Sequence, residues 1–192
     1  MILRPAFTGT LIAVALFFCL HNAHAQSLNS NWKQQLNTAL QQFLECKPAT
    51  PDDKACAKFI GESLNTVYQL NDFYSTQAKR YMTVNEIAGF LETSNKWEVL
   101  GQSYDQKTLA TAQDYANKKR AVVAVYLNAA GIGHVVLITP GELKPSGSWA
   151  LNVPSAASFF PTEPDKSFVD KSLSFAFMKH MMKDVQIYAR KY

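Results

Sequence analysis

The chain has 192 residues, and a hydrophobic fraction of 47% with 12% aromatics is enough for a packed core, which excludes a disordered or fibrous protein. Nineteen Lys and Arg against fifteen Asp and Glu give a net charge of +4 that is spread along the chain, so no nucleic-acid-binding surface is expected. The one tight basic cluster, Lys118-Lys119-Arg120, reads as a solvated helix end ahead of a buried strand.

The first residues read as a secretory signal peptide. Arg4 is a positive start, Leu11 to Leu20 is an apolar run too short to span a bilayer, and Ala23-His24-Ala25 is a small-x-small cleavage site. Cleavage after Ala25 leaves residues 26–192 as a single domain, and the loss of one arginine and no acid takes the charge from +4 to +3. The expected location is exported, periplasmic or secreted, with no membrane span. Processing removes Cys19, His21 and His24, leaving Cys46, Cys56, His134 and His180. That set does not make a four-ligand zinc site, so no metal or cofactor is expected. Two cysteines in an exported chain can also simply pair with each other.

Taken in order, Leu28 to Glu45 predicts an amphipathic helix, with Trp32, Leu36, Ala39, Leu40, Phe43 and Leu44 at three- and four-residue steps. Cys46 to Asp53 reads as a loop. A second helix, capped by Asp52 or Asp53, presents Cys56, Phe59, Ile60, Leu64, Val67 and Tyr68 inward. Asn71 to Met82 looks irregular. Thr83-Val-Asn-Glu86 is a capping box that opens a short helix. Trp97 to Leu100 predicts a short strand, and Asp105 or Ser103 caps a helix running to about Lys119.

Beyond Lys119 the period changes. Arg120 to Leu127 and His134 to Thr139 read as two antiparallel central strands joined by the small-residue turn Ala129 to Gly133. Gly141 to Ser148 reads as turns, Trp149 to Val153 as a third strand, Pro154 to Asp170 as a long polar and aromatic loop, and Val185 to Ala189 as a last strand. Residues 171–183 fit a helix or a packed loop equally. Helices first and strands after predict an α+β fold with helices on one side of an antiparallel meander.

The chemistry-bearing residues are Cys56 and His134. A thiol at a helix start has a lowered pKa, and an imidazole beside it completes a nucleophile–base pair able to return a proton to a leaving amine. The Gly131-x-Gly133 segment before His134 lets backbone approach closely. Asn152, on the expected third strand, is the candidate to orient the imidazole, with a turn position before Pro154 as its plainer role. Phe159, Phe160 and Tyr104 are candidates for lining a substrate groove. His180 reads as surface or packing.

Cys56-Ala-Lys-Phe-Ile-Gly-Glu-Ser-Leu64 followed by Gly133-His-Val-Val-Leu-Ile138 resembles the NlpC-type papain-like cysteine peptidases, and more narrowly the peptidoglycan amidase effectors of type VI secretion. Ala57 stands where many relatives carry Ser. The resemblance implies a papain-like α+β domain with Cys56 as nucleophile, His134 as base and Asn152 in the third place. It also implies stem peptides of peptidoglycan as substrate, cut between D-glutamate and meso-diaminopimelate. Such an enzyme serves as a wall-remodelling hydrolase or an antibacterial toxin, the latter with an immunity protein as partner. The alternative, from another class, is a non-catalytic exported binding or inhibitor protein closed by a Cys46–Cys56 disulfide.

Overall fold

The computed structural model describes residues 27–47 and 55–192. The signal segment, and the Asp52 or Asp53 cap expected for the second helix, lie outside the described residues. Helix α1 spans Trp32–Glu45 and buries Leu36 and Phe43 along one stripe. A single 3-10 turn, Ala55–Ala57, leads into α2, Lys58–Tyr68, whose buried face includes Phe59, Ile60, Leu64, Val67 and Tyr68. The stretch expected to be irregular closes a two-residue hairpin, β1 Tyr74–Ser75 against β2 Arg80–Tyr81. It is too short for any alternation to register.

Helix α3, Val84–Thr93, begins with the expected capping box: Glu86 accepts from the Thr83 N–H and also from the Thr83 hydroxyl. Strand β3 is Trp97–Gln102 and α4 is Gln106–Asn117, with Asp105 accepting from the Lys107 N–H as its cap. Strands β4 (Val122–Leu127) and β5 (Gly133–Ile138) pair antiparallel from Val122 opposite Ile138 to Leu127 opposite Gly133. A small separate hairpin follows, β6 Lys144–Ser146 and β7 Leu151–Val153. Strands β8 (Ser155–Ser158), β9 (Phe168–Ser172) and β10 (Gln186–Arg190) complete the set.

The main sheet has six antiparallel strands in the order β3-β10-β4-β5-β8-β9. The α+β class therefore holds, and two details of the expected layout are corrected. The sheet is not a meander, because the last strand, β10, lies between β3 and β4. Nor do the helices share one side. Residues of α1, α2 and α3 pack with Val123, Val125, Val135, Leu137 and Ala157 on one face. Residues of α4 and the C-terminal turns pack with Val122, Ala124, Val136, Ile138 and Ala156 on the other.

The strand expected at Trp149–Val153 is confined to the β6–β7 hairpin. The strand that follows β5 in the main sheet is instead β8, in a segment that reads as loop. Its sequence, Ser155-Ala-Ala-Ser158, has no β-branched or aromatic residue, yet all four residues are buried. Small side chains suit the close approach there: a Cβ added to Gly141 would lie 2.6 Å from the Ser155 Oγ.

Two polar ties hold the layers in register. The fully buried Tyr68 hydroxyl on α2 donates to the Ile138 carbonyl on β5 over 2.9 Å. Asp72 accepts from Arg190 Nε at 2.7 Å and from Trp97 Nε1 at 3.0 Å, joining the C-terminal strand to β3 and to the α2–β1 connection. The basic cluster is only partly the solvated helix end expected of it. Arg120 is 7% exposed, pairs with Glu98 and lies over the Tyr115 ring, its guanidinium carbon 4.1 Å from the centroid. No helix among the described residues is long and apolar enough to cross a membrane.

Candidate functional site

Cys56 sits in the turn that opens α2, as its spacing from the helix's apolar residues implied. Its sulfur is bonded to that of Cys46, just past the end of α1. Around this disulfide Phe43, Phe59 and Phe159 form a closed aromatic cluster with ring centroids 5.2 to 5.9 Å apart. Cys56 is 8% exposed. The disulfide thus staples α1 to α2, with Cys56 buried among aromatic edges and faces and Cys46 half-buried.

His134 lies near the start of β5, directly opposite Tyr126 on β4. Successive strand residues point to opposite faces of a sheet. Val135 and Leu137 face α1–α3, so His134 shares the other side with Val136 and Ile138. Its ring contacts agree. The imidazole stacks on Phe160 with centroids 4.1 Å apart and meets the edge of Phe177 at 5.7 Å. Nε2 and the Ser158 hydroxyl share a hydrogen bond of 2.7 Å, whose direction follows the ring tautomer. Burial among these aromatics pulls the imidazole down to about pKa 4, so it is neutral at physiological pH.

Cys56 and His134 do border one cavity, together with Ala57, Ile60, Val84 and Phe159. Its volume is about 30 Å³, room for little more than a single water. The structure therefore brings the two residues near the same point in the fold without assembling them. The sulfur is in a disulfide and carries no thiolate, and the imidazole projects from the opposite face of the strand. An oxidised sulfur cannot attack a carbonyl, and a neutral, half-buried imidazole turned to the other face cannot stabilise a thiolate as its ion partner.

Asn152 is placed elsewhere. It is an exposed residue of β7 opposite Pro145, and both of its backbone groups are bound by the Gln106 side chain. The neighbouring-strand partner of the imidazole is Ser158, which sequence reasoning missed. The missing signal is physical: a serine in a run of alanine and serine carries no strand pattern. Ser158 is fully buried, so its contact with His134 presents no hydroxyl to an outside substrate.

The candidate groove-lining aromatics also separate. Phe159 belongs to the cluster around the disulfide, Phe160 covers the imidazole, and Tyr104 is 52% exposed at the head of α4. His180 is exposed in a short 3-10 turn. No group of His, Cys, Asp and Glu among the described residues is arranged to hold a metal ion. Compared with known proteins, the chain matches no family model and no curated protein.

Proposed function

We propose that this chain is an exported binding protein of the cell envelope, stapled by a disulfide and not hydrolytic in its oxidised form. The observation that carries this reading is the Cys46–Cys56 bond, which occupies the one sulfur placed at a helix start. The neutral His134, held by Ser158 and packed against Phe160 and Phe177, supports it, because among the described residues it leaves no imidazole paired with a nucleophile. An oxidising compartment is the setting in which such a bond persists. The test is titration of thiols on the mature protein recovered from the envelope, folded and then unfolded. The expected result is none in either state. Two titrating thiols overturn the reading.

A second reading, a peptidoglycan hydrolase of papain-like, NlpC type, is favoured by the cavity that Cys56 and His134 share. In it the disulfide is a closed state. Reduction frees the Cys56 thiol, and a shift of the backbone at the start of β5 turns His134 toward α2 to serve as base. The acyl-enzyme chemistry then cuts a stem-peptide amide of the D-glutamate–meso-diaminopimelate type, in wall remodelling or as a toxin opposed by an immunity protein. Muropeptide mass spectrometry separates the two readings. If a Cys46→Ser variant with reductant releases stem-peptide fragments and the Cys46→Ser/Cys56→Ala double variant does not, the hydrolase reading replaces the first.

A further inference from the structure

On the outer side of the α1–α2 pair lies a groove of about 300 Å³. Packed helices normally fill the seam between them with apolar side chains. Here the facing positions on the two helices, Ala39 apart, are polar. Helix α1 contributes Gln35, Thr38 and Gln42, helix α2 contributes Glu62, Asn65 and Thr66, and Tyr81 of β2 closes one end. Steps of three and four residues line up Gln35, Thr38 and Gln42 on α1, and on α2 they place Asn65 and Thr66 on either side of the row through Glu62.

Two observations make the groove more than a gap between polar surfaces. The first is the seating of Tyr81. A Cβ on Gly61 would lie 2.4 Å from the Tyr81 Cδ1, so glycine alone lets the ring lie against α2. Tyr74 meets Tyr81 in a T-shaped contact with ring centroids 5.2 Å apart. The ring is therefore held as a fixed platform at the groove end. The second is hydrogen-bonding capacity. Among the described residues, the Gln42 amide, the Thr66 hydroxyl and the Tyr81 hydroxyl have no partner within the chain. Burial and the neighbouring Glu62 carboxylate hold the Tyr81 phenol above its usual pKa, so it stays a donor.

The lining selects among ligand classes. It contains no cation, and its one charge, the Glu62 carboxylate, is already paired with Lys58 at 3.4 Å, so the lining offers a phosphate or other anion no unpaired positive group. A single carboxylate does not hold a divalent metal. Amides and hydroxyls match a ligand that is neutral and rich in donors and acceptors, and an aromatic platform matches the C–H face of a pyranose ring. We infer that the α1–α2 groove binds a neutral saccharide, stacked on Tyr81 and hydrogen-bonded by Gln42, Thr66 and the Tyr81 hydroxyl. This rests on the binding-protein reading and names its ligand class.

The experiment is calorimetric titration of the oxidised mature protein with the β-1,4-linked tetramer of N-acetylglucosamine and, in parallel, with cellotetraose. Binding of either sugar, weakened about fivefold in Gln42→Ala by loss of one net hydrogen bond and about tenfold in Tyr81→Ala, supports the inference. Preference for the first sugar assigns the acetamido group to the amide side chains, and equal binding assigns recognition to the ring hydroxyls. Tyr81→Phe keeps the platform and is expected to lose about fivefold or less, which guards against a hairpin that fails to fold in Tyr81→Ala. No binding of either sugar, or binding unchanged in Gln42→Ala and Tyr81→Phe, overturns it. Cosedimentation with insoluble peptidoglycan keeps the outcomes apart: sedimentation without sugar binding removes the groove and leaves the binding-protein reading standing. If thiol titration instead overturns that reading, the groove is still scored on Cys56→Ala by the same titrations.

Discussion

On the face of the sheet covered by α1, α2 and α3, the sulfur of Cys56 is closed into a bond with Cys46 among three phenylalanine rings. On the opposite face, His134 is closed into a hydrogen bond with Ser158 between Phe160 and Phe177. Each potentially reactive group has thus been given a separate partner and a separate aromatic enclosure. The comparison shows how little sequence separation or shared cavity says about chemistry. One residue of strand register decides whether an imidazole meets a thiol or turns its back on it.

The sharpest way to break this arrangement is from the imidazole side. Phe177 is 3% exposed, packs on His134, and its carbonyl accepts from Trp149 Nε1 at 3.1 Å. Phe177→Ala is expected to cost about 3–5 kcal/mol in denaturant unfolding, as large aromatic deletions in cores do. It is also expected to raise the His134 pKa, read by NMR, because water reaches the ring. The groups around the disulfide on the other face are expected to be unaffected. Faster reduction of the Cys46–Cys56 bond by added dithiothreitol in this variant would show that the two enclosures are coupled.

The protonation of His134 gives the next effect. An unfolded histidine titrates near ~6.5, and this one at about 4, so the unfolded chain takes up the proton first. Stability from this group is complete above the unfolded value and falls as pH drops from there toward 4, by roughly 3 kcal/mol in all. Chemical melts across that range are expected to show the slope in the parent and to lose it in His134→Asn. An unchanged slope assigns the acid sensitivity elsewhere.

Opening the disulfide tests the other face. The bond closes a loop of sequence separation 10, for which the chain-entropy relation gives about 3 kcal/mol. Cys46→Ala/Cys56→Ala is therefore expected to melt roughly 10 °C lower, with the His134 pKa unchanged. The smallest effect belongs to Ser158→Ala, expected to cost about 1–2 kcal/mol for a buried imidazole nitrogen left without its partner. A Ser158→Ala variant as stable as the parent would mean that packing by Phe160 and Phe177 alone places the ring.

Much of the architecture was legible because its signals are local. The Thr83–Glu86 capping box, the Asp105 cap and the β-branched run from Val122 each announce an element where it stands. The central strand pair is a case where pattern and structure agree within two residues at each end. The direction of His134 was not legible, for a definite reason. In Gly133-His-Val-Val-Leu-Ile138 both alternating sets, Val136 with Ile138 and Val135 with Leu137, are apolar, because both faces of the strand are buried. Such a strand carries no mark of which side meets which helix. Ser158 was hidden by small residues that read as loop, and Asn152 stood out only because Trp149 and Leu151 resembled a strand of the main sheet. Trp149 belongs instead to the tight turn before β7, where Ala150 takes a φ of +57°.

The position of β10 has a consequence for how the sheet is completed. Strand β4 has β5 on its other side, but β3 pairs with β10 alone, so Trp97 and its strand join the main sheet through residues 186–190. A chain cut just before Gln186 keeps β4, β5, β8 and β9 in one ladder and leaves β3 with no neighbour. Closure of the sheet therefore waits on a single short strand far in sequence from the one it secures.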